Sequence, residues 1–124
     1  MNRPLVLVVD DDPDILDAIC DILEAEGYRV ARARHGLEAL ERVSEELPAV
    51  ILLDLMMPVM DGLAFANALR QRPVPRRIPI VVISADGNPQ KVAALGAQGY
   101  LAKPFDIDAL LTHVSHMAGH AVPR

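Results

Sequence analysis

Apolar positions along the chain gather into short runs separated by longer stretches of mixed character. The runs are LVLVV (residues 5–9), a weaker YRVARA (28–33), AVILL (49–53) and IPIVVI (78–83), with GYLA (99–102) as a fifth. A strand with one face in water alternates apolar and polar side chains, whereas a strand covered on both faces does not. These runs do not alternate, so they predict a parallel sheet buried on both sides. Between them the apolar positions recur at helical spacing, over residues 12–27, 36–47, 62–72, 88–97 and 106–118. The first of these has Asp12 as an N-cap, Pro13 at the first helical position and Gly27 just past the end. Five strand–helix repeats predict a three-layer α/β sandwich with one sheet between two helical layers. No linker, repeat or low-complexity stretch divides residues 1–124, which read as one domain with a core over about 5–117 and a short tail over 118–124.

Composition narrows the picture. The 124 residues are 52% hydrophobic but include only two Tyr, two Phe and no Trp, so the core must be aliphatic. A net charge of −5 argues against a nucleic-acid-binding surface on this domain. Cys20 is the only cysteine, which leaves no internal disulfide, and its helical neighbours mark it as a reduced, core-side thiol. No apolar run approaches the roughly 18 residues of a membrane helix, and the N-terminal stretch turns acidic too soon for a signal peptide. These features predict a soluble, cytoplasmic domain with no membrane contact. The Pro- and Arg-rich RPVPRRIP (residues 72–79) reads as a helix-to-strand loop, its charges a solvated corner rather than a binding patch.

The chemistry lies where the runs end. The first runs into Asp10 and Asp11, the third into Asp54, the fourth into Ser84 and the fifth into Lys103. Asp54 is the one ionisable group between Ala49 and Met60. A lone carboxylate inside such a run must surface, find a partner or carry a function, because burying an unpaired charge costs several kcal/mol. In open parallel sheets, ligands bind beyond the carboxyl ends of the strands. Three carboxylates brought together repel unless a cation joins them. With no Cys or His beside them, oxygen donors favour a hard ion, Mg²⁺ first and Mn²⁺ as an alternative. A metal opposite a lysine is the usual clamp for a transferring phosphoryl group. An aspartate can itself be the nucleophile, and a serine hydroxyl can donate to a phosphoryl oxygen. The residues thus point to Mg²⁺-assisted phosphoryl transfer onto Asp54.

The segments VVDDD (8–12), LLDLMMPVMDG (52–62), VVISA (81–85) and GYLAKPF (99–105) together resemble the receiver domain of two-component response regulators, close to the chemotaxis type. The resemblance covers residues 5–117. It implies a doubly wound, flavodoxin-like (βα)5 fold with strand order 2-1-3-4-5. It also implies that Asp54 accepts a phosphoryl group from a phosphohistidine on a sensor histidine kinase or histidine phosphotransfer protein. Asp11, Asp54 and the backbone carbonyl of Met56 would ligate Mg²⁺, with Asp10 acting mainly through metal-bound water. Ser84 and Lys103 would contact the phosphoryl group, and Tyr100 would be the aromatic switch residue. The Lys103–Pro104 bond would be cis, and Met56 and Asp86 would tune the acyl phosphate's lifetime. A face made by the fourth helix, fifth strand and fifth helix would meet a second copy or an output partner. Such a domain is a signalling phosphoacceptor rather than an enzyme with a separate substrate.

One departure stands out. Ser84 to Lys103 spans 19 positions, about one helical turn shorter than is usual in that family, and the shortening falls in or before the fourth helix. Two other readings compete. A phosphatase of the haloacid dehalogenase type would need an aspartate where Met56 stands. A pseudo-receiver, binding partners without phosphorylation, would not need all five site side chains. His113, His116 and His120 could share one stripe near the chain's end, which reads as a polar helix end rather than a metal site, and His35 reads as a plain loop residue.

Overall fold

The computed structural model describes residues 3–55, 61–72, 77–85 and 89–118. Five strands alternate with five helices in chain order: β1 (Leu5–Val9), α1 (Pro13–Ala25), β2 (Arg29–Ala33), α2 (Gly36–Glu45), β3 (Val50–Asp54), α3 (Gly62–Arg70), β4 (Ile80–Ser84), α4 (Pro89–Leu95), β5 (Gly99–Ala102) and α5 (Ile107–Met117). The strands form one parallel sheet in the order β2-β1-β3-β4-β5. The predicted segments are the observed ones, with small shifts. β3 extends one residue further to include Asp54 itself, and β4 starts two residues later than its apolar run.

The absence of alternation in the strands has a direct structural cause. Val6, Val8, Val50, Leu52, Val81, Ile83 and Leu101 pack beneath α1 and α5, with Ile19, Leu23, Leu110 and Val114. The intervening residues Leu7, Val9, Ile51, Leu53, Ile80 and Val82 pack on the opposite side, against α2, α3 and the end of α4. Both faces are dry, so both parities must be apolar. β2, at the edge, is only partly buried, which accounts for its weaker pattern.

Local signals set the helix ends. Asp12 caps α1: its carboxylate accepts from the backbone N–H groups of Asp14 (2.9 Å) and Ile15 (3.4 Å), and Pro13 follows at the first turn. Asp12→Ala should therefore lower the unfolding free energy by about 1 kcal/mol. Urea unfolding with an unchanged m-value would report it, and a loss indistinguishable from zero would rule out the cap as a stabilising contact.

His35, read from sequence as a plain loop residue, caps α2. Its Nδ1 accepts from the Glu38 N–H at 3.3 Å, while the Glu38 carboxylate accepts from the Arg34 N–H at 2.8 Å. An imidazole thus stands in for the usual capping hydroxyl, and Glu38 ties down the residue before the cap. α4, at seven residues, is the shortest of the five helices, and it lies within the short interval between Ser84 and Lys103. No helix among the described residues is long and apolar enough to cross a membrane. Cys20 is buried in the α1 face of the core, and burial pushes its thiol up to about 11.

Candidate functional site at the carboxyl edge of the sheet

The strand order creates the site. The chain runs outward from β1 to β2 and then returns to β3, so the winding reverses between β1 and β3, where an open α/β sheet leaves a crevice. Val9 pairs with Leu53, so Asp10 and Asp54 each follow by one residue on adjacent strands. Asp54 pairs with Ile83, which puts Ser84 one step beyond it; Ser84 pairs with Ala102, which puts Lys103 one step further. Four strand ends thus form a staggered row.

Parity sorts that row. Asp10, Asp54 and Lys103 continue the series of strand residues that face α1 and α5. Ser84 and Tyr100 continue the other series, and Tyr100 packs partly buried with the cluster beneath α2, α3 and α4.

One ligand oxygen from each of Asp10, Asp11 and Asp54 lies within 4.8 Å of the others. Asp10 and Asp54 are buried and Asp11 is exposed. Lys103 holds the two buried carboxylates together: its Nζ donates to Asp10 Oδ2 at 2.9 Å and to Asp54 Oδ2 at 3.4 Å. The other Asp10 oxygen, Oδ1, accepts from the Asp12 N–H at 2.9 Å. Burial pulls the Lys103 ammonium down, but the Asp10 hydrogen bond and the charges of Asp10 and Asp54 outweigh it and hold the ammonium above its ordinary value.

The rest of the expected set is placed as follows. Ser84 is fully buried at the end of β4. Its backbone carbonyl accepts from the Lys103 N–H at 3.0 Å and from the Tyr100 hydroxyl at 3.3 Å. The Lys103–Pro104 bond is cis. Met56, expected as a carbonyl ligand and a lifetime-tuning position, and Asp86, expected to tune the lifetime, lie outside the described residues, as does His120. His113 packs against Gly99 at the start of β5: a Cβ on Gly99 would sit 2.9 Å from its Nδ1.

The donor set suits a small hard cation. Three carboxylates converge on one point with one lysine to offset them, leaving an excess of negative charge that a divalent ion would neutralise.

The whole-chain comparisons agree with this geometry. A family model described as the response regulator receiver domain matches residues 6–115. The chain belongs to the response regulator receiver family. It is 42% identical over 117 residues to the transcriptional regulatory protein PrrA of Mycobacterium tuberculosis, covering 92% of this chain and 49% of that protein. The receiver therefore spans about half the length of that curated relative. Among solved structures, chemotaxis protein CheY4 of Vibrio cholerae superposes with a TM-score of 0.87 at 34% identity, covering 94% of this chain and 99% of that one. The receiver domain of a Pseudomonas aeruginosa sensor histidine kinase, solved with a magnesium ion coordinated in its active-site cleft, gives 0.86 at 28% identity, covering 95% and 99%.

Proposed function

We propose that this receiver is a phosphoacceptor: Asp54 takes a phosphoryl group from a phosphohistidine of a sensor histidine kinase or histidine phosphotransfer protein. The observation that carries the reading is the convergence of Asp10, Asp11 and Asp54 within 4.8 Å, beside the Lys103 ammonium. In the transfer an Asp54 carboxylate oxygen attacks phosphorus. The bond from phosphorus to the donor's imidazole nitrogen breaks, its electron pair stays on that nitrogen, and an acyl phosphate forms on Asp54. Asp11, Asp54 and the Met56 backbone carbonyl would hold Mg²⁺, with Asp10 acting mainly through metal-bound water and Mn²⁺ as an alternative ion. When bound, the ion would supply positive charge against the phosphoryl oxygens.

This chain's own residues would do the rest. Lys103 would turn from Asp54 to a phosphoryl oxygen, and the Ser84 hydroxyl would donate to another. Tyr100 reports on Ser84 through its hydrogen bond to the Ser84 carbonyl, so a shift at Ser84 would be felt across β5. The added charge biases two packings of the face made by α4, β5 and α5, which would meet a second copy or an output partner. In this reading residues 1–124 form one receiver domain with its core over 5–117, acting in the cytoplasm as a switch rather than as an enzyme with a separate substrate. Met56 and Asp86 would set how long the acyl phosphate lasts.

Intact mass after incubation with acetyl phosphate, with and without Mg²⁺, tests this. The expected result is a gain of one phosphoryl group that needs Mg²⁺ and is absent in Asp54→Ala. A folded protein that gains nothing under any condition would refute the phosphoacceptor reading and leave a pseudo-receiver. A gain retained in Asp54→Ala would refute the choice of acceptor.

A further inference from the structure

At the opposite edge of the sheet from the carboxylates, a cavity of about 60 Å³ opens between the C-terminal ends of α3 and α4 and the start of β4. Its floor is apolar, formed by buried side chains that include Leu69, Ile80 and Leu95. Its polar rim is Arg70, Arg77 and Gln98. The two guanidinium groups converge over Gly96: a Cβ there would sit 2.5 Å from Arg70 Nη2 and 3.2 Å from Arg77 Nη2. Gly96 ends α4 in the left-handed conformation, φ +68°, and its missing side chain leaves room for the two guanidinium groups.

Every polar side chain at this rim is a donor. Gln98 Oε1 accepts from the Ile80 N–H at 2.8 Å, which fixes the amide and leaves both Nε2 protons for another partner. Arg70 donates to the Leu95 carbonyl and so caps α4. Among the described residues nothing gives Arg77 such a duty. No carboxylate of a described residue pairs with either arginine. The sequence shows why: from residue 62 to 105 Asp86 is the only acid, against Arg70, Arg72, Arg76, Arg77, Lys91 and Lys103. In a chain with 17 acidic residues, two convergent guanidinium groups without a carboxylate leave room for an external counter-ion. Paired guanidinium forks match the geometry of phosphate oxygens.

We infer that this cleft is an oxyanion-binding site that takes a phosphate group, as inorganic phosphate or as a small phosphate monoester, between Arg70 and Arg77 with Gln98 as a third donor. The inference is independent of the phosphoacceptor reading, since it uses no residue of the carboxylate site.

Amide NMR of the whole chain tests it, with divalent ions chelated and ionic strength held constant with chloride. Inorganic phosphate and phenyl phosphate are titrated separately, with benzoate as a carboxylate of similar bulk. The expected result is saturable shifts at the Gly96, Ala97 and Gln98 amides. In Arg77→Gln, whose spectrum should match the parent elsewhere, the affinity should fall at least ten-fold. Saturation by both phosphates means that the anionic group suffices; saturation by phenyl phosphate alone means that the apolar floor contributes, and either upholds the site. The inference is overturned if neither phosphate saturates, if Arg77→Gln binds as tightly as the parent, or if benzoate binds as well as the phosphates.

Discussion

Lys103→Met should destabilise the metal-free protein by about 2–3 kcal/mol and abolish most phosphoryl uptake at Asp54. The side chains of Asp10 and Asp54 are 3% and 6% exposed, and the Lys103 ammonium lies 2.9 Å and 3.4 Å from them. Two carboxylate oxygens less than 5 Å apart repel by about 3 kcal/mol at an effective dielectric of about 20. Methionine keeps the apolar stem of the lysine and deletes only the charge, so packing loss is small. The penalty is moderated because the Lys103 side chain is itself partly exposed, at 18%. Millimolar Mg²⁺ should then stabilise the variant more than the parent, since the ion would supply the counter-charge that the lysine no longer does. Urea unfolding in chelator and in Mg²⁺ measures both effects. A loss below about 0.5 kcal/mol, or equal Mg²⁺ stabilisation of the two proteins, would mean that Lys103 is not the counter-charge that holds the carboxylates together.

Phe65→Ala should cost about 3–5 kcal/mol, a large part of the stability of a domain this size. Phe65 is the largest fully buried side chain, and with Ala66 and Leu69 it fastens α3 to the sheet beside Leu53 and Val82. Its buried neighbours in that cluster are aliphatic, and the Tyr100 ring packed against them is tied by its hydroxyl to the Ser84 carbonyl. Phe65→Leu, which keeps most of the volume, should lose less than about 1.5 kcal/mol. Denaturant midpoints at a constant m-value separate the two variants. Equal losses would show that the site collapses around the smaller residue and that the ring's volume is not what matters. Because α3 packs on the face away from Asp10 and Lys103, the folded fraction of Phe65→Ala should still take up a phosphoryl group, which distinguishes a packing defect from damage to the site.

The physical origin of each feature decided whether it could be read from the chain. Strand positions were legible because a strand buried on both faces must be apolar at every position, as in Val50–Leu53, and helix α1 was legible because Asp12 and Pro13 act within a few residues of themselves. Asp54 stood out for the same local reason, a charge inside a dry run. His35 escaped because an imidazole is an uncommon cap and its role depends on which nitrogen faces the Glu38 N–H. The arginine cleft escaped because it joins Arg70 at the end of α3, Arg77 before β4, and Gly96 and Gln98 between α4 and β5, and Arg77 read along the chain is one more charge in a solvated loop.

By itself, then, the sequence determined the repeating strand–helix pattern, the aliphatic core and the identity of the groups at each strand end, all of which follow from short-range periodicity and burial. Only the tertiary structure decided which ends become neighbours. The order β2-β1-β3-β4-β5 and the register of Val9 with Leu53, Asp54 with Ile83 and Ser84 with Ala102 bring carboxylates 44 residues apart, Asp10 and Asp54, to a single lysine. Strand pairing is a long-range choice made by the packing of both helical layers at once, and no local pattern contains it.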